Sequence, residues 1–323
     1  MVKAGASRRP CLSVVIVLYN SAAELVGCLE SIRPAIECGW AEAILVDNDS
    51  PDGSATVARR ELPHARVLTL AENRGFAAGV NVALPECSGR YVLLLNPDVQ
   101  VPDGGLQELA AWMDAHPGLA AGSPELVDAD GDWVTPGRAL PAIWRLALRT
   151  SRLHRLLPRR LAGTLLRDSF WPGGDQLGVD WVPATAMIVR ANAIRVAGPL
   201  REDLFMYGED VEWCSRIRRS TRDRIGVCAQ VRFVHRASAS TTRTWGEAER
   251  EWMIDSGMDR ACRIIYGERH ARALAWAKAL SLAVDARAPW RPAGRRSVSR
   301  AAAQRWLAIA RSYGSAPGRP PAR

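Results

Sequence analysis

The feature that most constrains this chain is a regular alternation over its first hundred residues. Short β-rich runs at 13–18, 43–47, 66–70 and 91–96 are separated by amphipathic stretches at 21–37, 54–62 and 76–84. Strands joined by helical segments of about ten residues need crossovers instead of hairpins. The pattern therefore predicts an α/β fold with a mixed, mainly parallel sheet flanked by helices on both faces. In such sheets ligands bind beyond the carboxyl ends of the strands. Three of these strands end in polar residues that packing does not ask for: Tyr19-Asn20, Asp47-Asn48-Asp49 and Asn96-Pro97-Asp98. Polar groups are expected to converge on one rim.

The rest of the chain divides by composition. Residues 127–175 read as an insertion, with a polar turn at 128–132, an arginine-rich helical stretch and a Pro-Gly-Gly turn at 171–175. Strand patterns return at 179–189 and 227–234, with a helix at 210–219 between them. Residues 245–312 are helical throughout, and 313–323 carry the composition of a disordered tail. The expected organisation is a flexible N-terminus over 1–11 and a catalytic domain over 12–244. That domain has a ligand-binding half at 12–125 and a second half at 126–244 with a basic insertion at 138–170. A C-terminal helical region at 245–312 follows.

Charge and cysteine usage narrow the setting. The 323 residues carry a net charge of +9, which favours a phosphate-bearing substrate, an anionic lipid surface or a nucleic acid. From Arg138 to Arg167 there are eight arginines and no Asp or Glu. Arg145, Arg149, Arg152, Arg155 and Arg159 recur at helical spacing among leucines, as in helices lying on anionic bilayers, although a solvated basic face has the same pattern. No apolar run of about 18 residues occurs, so membrane contact would be peripheral. The apolar run at 12–18 suits a buried strand better than a leader segment. Seven widely spaced cysteines read as reduced thiols in a cytoplasmic protein.

Four constellations carry candidate chemistry. In Asp47-Asn-Asp-Ser-Pro-Asp-Gly-Ser54 a carboxylate at a strand end can accept the imide N–H of a pyrimidine base, while Asp52 or Ser54 could simply cap the next helix. The segment 73–81 places Gly75 and Gly79 four apart between Asn73 and Asn81, where backbone can approach a phosphate or helices can pack closely. It lacks both GxGxxG and GxxxxGK[ST]. Asp98, in a turn stiffened by Pro97, is a natural oxygen ligand for Mg²⁺ or Mn²⁺, though an Asx turn also explains it. Glu209 and Asp210 stand adjacent at a helix start, as a carboxylate base and its partner or as capping residues. His235 ends a strand, a position more often structural than ligating.

The order of these segments resembles glycosyltransferase family 2, and within it the rhamnosyltransferase-like branch of cell-surface polysaccharide and cell-wall linker synthesis. The resemblance rests on VVIVLYN (14–20), VDNDSPDGS (46–54), NRGFAAGVN (73–81), LLNPDV (94–99), VDWVPATAMIVR (179–190), FMYGEDVEWCSRIRR (205–219) and VRFVHRASAST (231–241), and covers about residues 12–270. It implies a GT-A fold, a nucleotide-diphosphate-sugar donor, a divalent metal and inversion at the anomeric carbon. By the same resemblance, Asp47 looks like the base-recognition carboxylate with Asp49 nearby, and Tyr19, Asn20, Asn73, Gly75, Gly79, Asn81 and Asn96 belong to the nucleotide-sugar side. Asp98 resembles the metal- and diphosphate-binding aspartate that ends the family's DXD motif, with His235 beside it. Asp210 resembles the catalytic base, with Glu209 as partner, and Trp181, Thr185 and Tyr207 fall on the acceptor side.

Two departures stand out. The DXD motif is reduced to Asn96-Pro97-Asp98, and Pro183-Ala184-Thr185 replaces the usual Gly-Ala after Trp181-Val182, which leaves the acceptor open. The expected donor is dTDP-L-rhamnose, with UDP-galactofuranose, UDP-GlcNAc or GDP-mannose as alternatives. The expected acceptor is a glycan or polyprenyl-diphosphate-linked sugar. A non-catalytic nucleotide-sugar-binding protein would keep much of the pattern but has no need of both Asp98 and Asp210. A nucleic-acid-binding protein would explain the charge, yet no zinc spacing, RNP aromatic pattern or recognition helix appears.

Overall fold

The computed structural model describes residues 9–135, 138–158, 161, 166, 174–236, 244–289 and 292–313. Its centre is one mixed sheet built on strand β1 (Leu12–Leu18), whose seven residues are almost all buried, as a strand covered on both faces requires. β2 (Ala41–Asp47) and β4 (Tyr91–Leu95) pair with β1 in parallel, and β3 (Arg66–Thr69) adds in parallel to β2. The intervening helices are α1 (Ala22–Glu37), α2 (Ser54–Glu61) and α3 (Gly75–Ala83). Register decides where the strands end. Leu12 lies opposite both Ala41 and Tyr91, so Leu18 finishes beside Asp47, and the turn after Leu95 emerges at the same edge.

Beyond β4 the sheet changes direction. β5 (Val99–Gln100), α4 (Gly105–Ala115), β6 (Leu119–Val127), β7 (Trp133–Thr135), α5 (Ile143–Thr150), β8 (Gln176–Val179), β9 (Ala186–Arg190), α6 (Ala191–Ala197), α7 (Glu209–Thr221) and β10 (Arg224–His235) follow in order. The strand order is β3-β2-β1-β4-β9-β6-β10-β5, with β7 on β6 and β8 on β10. β9 is antiparallel to both β4 and β6, and β5 is antiparallel to the end of β10. β6 runs through residues 125 and 126, so the two halves of the predicted catalytic domain share one unbroken sheet.

Alternation sorts the core. Leu12, Val14, Ile16 and Leu18 pack with Leu25, Leu29 and Leu109, whereas Val15 packs on the opposite face with Val46, Ala77, Val80 and Ile217. A third cluster joins the C-terminal helices α8 (Glu247–Tyr266), α9 (Glu268–Arg287) and α10 (Ala293–Arg311) through Cys262, Leu274, Ala275, Trp306 and Ile309. At its edge Asp259, buried, accepts a hydrogen bond from the Tyr313 hydroxyl at 2.6 Å. All seven cysteines are free thiols, four of them buried.

Two sequence expectations need correction. Residues 179–189 are not one strand: the chain leaves the sheet after Val179 and returns at Ala186, because Pro183 offers no N–H to a ladder and Asp180 is taken up by Arg218 at 2.7 Å and by the backbone N–H of Leu140. The arginine-rich stretch is also not one helix. α5 ends at Thr150, Arg152 turns the backbone with φ of +60°, and a short turn follows at Leu153–Leu156. Arg145 points inward, donating to the Leu140 carbonyl at 2.9 Å, whereas Trp144 and Leu156 are exposed. Much of 159–173, the Ser/Thr-rich run at 238–242 and the predicted tail after Tyr313 lie outside the described residues. Among the described residues no helix is long and apolar enough to cross a membrane.

Candidate active site

A cleft of about 230 Å³ opens at the carboxyl ends of the central strands. Its floor is the turn after β4. The Asn96 N–H donates to the Thr185 carbonyl at 2.9 Å, and the Asp98 carbonyl accepts from the Arg236 N–H at 3.0 Å. The antiparallel pairing of β5 with β10 puts His235 opposite Val99 and brings its Nε2 to 3.3 Å from Asp98 Oδ2. Asp98 is buried, and its Oδ1, like His235 Nδ1, has no hydrogen-bond partner among the described residues. A buried carboxylate oxygen left free in this way is costly unless a ligand completes it.

The opposite wall begins at Gly208, whose φ of +90° turns the chain into α7. An added Cβ there would lie 2.3 Å from the Gly257 carbonyl oxygen, and one on Gly257 would lie 2.2 Å from that of Tyr207. This glycine-to-glycine contact lets α8 press against the start of α7. It sets Glu209 and Asp210 on the cleft. Asp210 accepts from the Val211 N–H at 2.8 Å and more loosely from the Ala184 N–H at 3.4 Å, while Glu209 Oε2 is buried without a partner among the described residues. Burial pushes the Asp210 carboxyl up, with the Val211 and Ala184 N–H groups pulling it partly back. Burial pushes Glu209 well up, and the neighbouring Asp210 charge adds to it.

The raised Glu209 carboxyl makes stability depend on pH. A carboxyl raised in the fold above its unfolded value contributes stability below the unfolded value, and loses it as pH rises through the folded one. Glu209→Gln is therefore expected to raise Tm at pH 8 by about 2 °C or more and to leave it unchanged near pH 4. Calorimetry at both pH values checks this, and an equal shift at both would contradict it.

The third wall is the turn between β2 and α2 together with the start of α3. Asn48 is buried and donates to Asn73 Oδ1 and to the Gly75 carbonyl, both at 3.0 Å, while its own Oδ1 accepts from the Arg74 N–H. Gly75, with φ of +85°, passes so close to Phe205 that a Cβ would lie 2.2 Å from its carbonyl oxygen. The Phe76 N–H donates to that same oxygen. Loop 73–76 is thereby locked to the segment leading into Glu209.

Not every candidate lines the cleft. Tyr19, Asn73, Gly75, Asn96, Asp98, Thr185, Tyr207, Glu209, Asp210 and His235 do. Asn20, Asp47, Asp49, Gly79, Asn81 and Trp181 are not among its lining residues. Gly79 faces Val17, against which a Cβ would clash, so it serves close packing of α3 on β1. Asn81 exchanges hydrogen bonds with the Leu200 backbone. Trp181 is buried under the Arg138 guanidinium. Asp47 is buried, raised by burial, and accepts from the Ser50 N–H at 3.3 Å. Asp52 braces this loop, accepting from Ser50, Ser54 and the Ala22 N–H. Burial alone would raise its carboxyl, but these bonds outweigh it and hold it low.

Asn48, read in the sequence only as part of a polar strand end, lines the cleft, as do Phe76, Met206, Trp245 and Arg250, which sequence reasoning missed. Trp245 stacks on Tyr19 with ring centroids 5.8 Å apart, and Asn20 donates to Thr244 Oγ1 at 3.1 Å. Only the tryptophan-rich composition around Trp245 hinted at these contacts, since nothing local says where α8 docks.

The donor set fits a hard divalent cation. One carboxylate and one imidazole leave coordination positions for diphosphate oxygens and water, the usual way Mg²⁺ or Mn²⁺ is held. Among the described residues no group of three or more His, Cys, Asp or Glu could form an all-protein cage.

Several known proteins resemble this chain. Residues 13–165 match the family described as glycosyl transferase family 2. An N-acetylglucosaminyl-diphospho-decaprenol L-rhamnosyltransferase of Mycobacterium tuberculosis is 29% identical over 220 residues, covering 65% of this chain and 71% of the relative. The low-salt glycan biosynthesis hexosyltransferase Agl10 of Haloferax volcanii is 26% identical over 243 residues, covering 72% and 69%. Among solved structures, mannosyltransferase PcManGT of Pyrobaculum calidifontis, in complex with GDP-Man and Mn²⁺, superposes with a TM-score of 0.57 at 18% identity, over 95% of this chain and 88% of that one. S. aureus TarS 1–349 gives 0.51 at 16% identity, over 94% and 91%.

Proposed function

We propose that this chain, whose residues 13–165 match glycosyl transferase family 2 and whose sheet has the GT-A fold, is an inverting, metal-dependent glycosyltransferase that moves L-rhamnose from dTDP-L-rhamnose to a hydroxyl of a polyprenyl-diphosphate-linked or glycan acceptor. The observation that carries the reading is the cleft itself, where Asp98 and His235 on one wall share a single opening with Glu209 and Asp210 on another. The choice of sugar is supported by the rhamnosyltransferase relative.

In this reading Asp210 accepts the proton of the acceptor hydroxyl as that oxygen bonds to the anomeric carbon. The carbon–oxygen bond to the diphosphate breaks on the opposite face, and the nucleoside diphosphate leaves with the electron pair. Asp98 and His235 would hold Mg²⁺ or Mn²⁺, which when bound supplies Lewis-acid stabilisation of the leaving diphosphate. Burial and the Asp210 charge both push the Glu209 carboxyl well up, which disfavours a second full charge beside the base. Tyr19, Asn73 and Gly75 would border the donor, and Thr185 and Tyr207 the acceptor. Transfer assays with a panel of nucleotide sugars and Mg²⁺ or Mn²⁺ test the reading. Turnover of dTDP-L-rhamnose supports it, turnover of another donor replaces only the sugar, and nucleotide binding with no turnover would favour a silent nucleotide-sugar-binding protein.

An acceptor anchored in lipid would be met at a membrane surface, and α5 with the turn after it supplies exposed apolar and basic residues suited to one. Trp144, Leu153, Leu156, Arg149 and Arg155 are all exposed. Arg149→Gln with Arg155→Gln is expected to weaken flotation with phosphatidylglycerol vesicles by about 30-fold, at roughly 1 kcal/mol per basic residue near the surface. Equal flotation of the double variant would remove the membrane role.

A further inference from the structure

Arg250 is a cleft residue whose charge is paired with nothing among the described residues. It lies in the first turn of α8, its N–H donating to the Gly246 carbonyl at 3.1 Å, so it is carried by a helix and not by a loose loop. The segment before it is fastened to the end of β1 by the stacking of Trp245 on Tyr19 and by the hydrogen bond from Asn20 to Thr244. The Arg250 side chain lines the cleft, and its Nε is buried with no hydrogen-bond partner among the described residues. A buried guanidinium nitrogen without an acceptor is costly.

Three carboxylates line the same cleft, Asp98, Glu209 and Asp210. Were Arg250 a structural counter-ion it would pair with one of them, and among the described residues it does not. Asp98 has His235 beside it, and Asp210 is held by backbone N–H groups. A planar guanidinium fork in a partly dry cleft suits paired phosphate oxygens.

We propose that Arg250 is a substrate-binding residue that takes the phosphate oxygens of a diphosphate in this cleft, either that of the nucleotide donor or that of a diphosphate-linked acceptor. The inference rests on the glycosyltransferase reading above and extends it to a residue of the C-terminal helices. It gives those helices a role at the reaction centre, since α8 both presses on the start of α7 and delivers this cation.

The test is calorimetric titration of wild type, Arg250→Gln and Arg250→Lys with inorganic pyrophosphate, dTDP, UDP, GDP, thymidine and uridine in excess Mg²⁺. It is paired with KM for an acceptor sugar bearing a diphosphate-linked lipid and for the same sugar without the diphosphate. If the donor diphosphate is the partner, Arg250→Gln weakens pyrophosphate and nucleoside diphosphates by about 10- to 100-fold, Arg250→Lys recovers part of the loss, and thymidine or uridine binding is unmoved. If the acceptor diphosphate is the partner, nucleotide affinity stays, KM for the diphosphate-bearing acceptor rises by a similar factor, and KM for the other acceptor does not. Unchanged affinities and KM values in both variants, with circular dichroism and Tm matching wild type, would overturn the proposal while leaving the transferase reading intact. A wild type that binds no pyrophosphate and no nucleoside diphosphate would overturn both.

Discussion

Asp210→Asn is expected to lower kcat by about 10²- to 10⁴-fold while nucleotide affinity stays within about twofold of wild type. The substitution keeps the shape of the side chain, and an amide oxygen can still accept from the Val211 N–H at 2.8 Å, so the turn into α7 is preserved. What is lost is the ability to take a proton from the acceptor hydroxyl. The pH profile gives a second readout. Burial raises the Asp210 carboxyl, so wild-type activity falls as pH drops through that raised value, at higher pH than an ordinary aspartate would give. In Asp210→Asn this acid limb disappears. A variant with near-normal kcat would remove Asp210 from the role of base and leave its hydrogen bonds as its only function.

Asp98→Ala is expected to lower turnover by about 10²- to 10³-fold, the scale of losing one major electrostatic contact to a developing charge. The discriminating measurement is nucleoside-diphosphate affinity with and without Mn²⁺. In wild type the metal should strengthen binding, and in Asp98→Ala that dependence should vanish, because the free Oδ1 is then gone. His235 sits 3.3 Å from Asp98, so His235→Ala should reproduce a weaker form of the same loss. Nucleotide binding that stays metal-dependent in Asp98→Ala would assign Asp98 to the turn alone.

The two experiments together also separate an enzyme from a silent nucleotide-sugar-binding protein. A silent binder would lose affinity with Asp98→Ala and be indifferent to Asp210→Asn. A transferase loses turnover with both and affinity with only one.

Much of this site is legible in the amino-acid sequence. The runs at 13–18, 43–47 and 91–96 are apolar because their strands are buried on both faces, and the polar residues at their ends stand out for the same reason. Asn73, Gly75, Asp98, Glu209 and Asp210 all stand out by local pattern, and they lie on one cleft. Gly79 and Asn81, in the same motif as Gly75, do not. Whether a residue of α3 meets the ligand or β1 depends on how the helix is rotated on the sheet, and that rotation is set by Val17 and by the bond to Leu200. Similarly, the arginine spacing after Arg138 suggests one helix, but no local pattern foretells the turn at Arg152 or the inward path of Arg145.

By itself the sequence determined the central strands and most of the helices. Each alternating run, positive-φ glycine and strand-ending carboxylate is a local choice, decided within a few residues by sterics and burial. Tertiary structure alone decided which distant groups meet. His235 reaches Asp98 because β5 pairs antiparallel with the end of β10. Arg250 and Trp245 reach the cleft because Gly208 and Gly257 let α8 lie against α7. Such meetings depend on register and on interhelical distance, which follow from packing summed over the whole core and are not written at any one position in the chain.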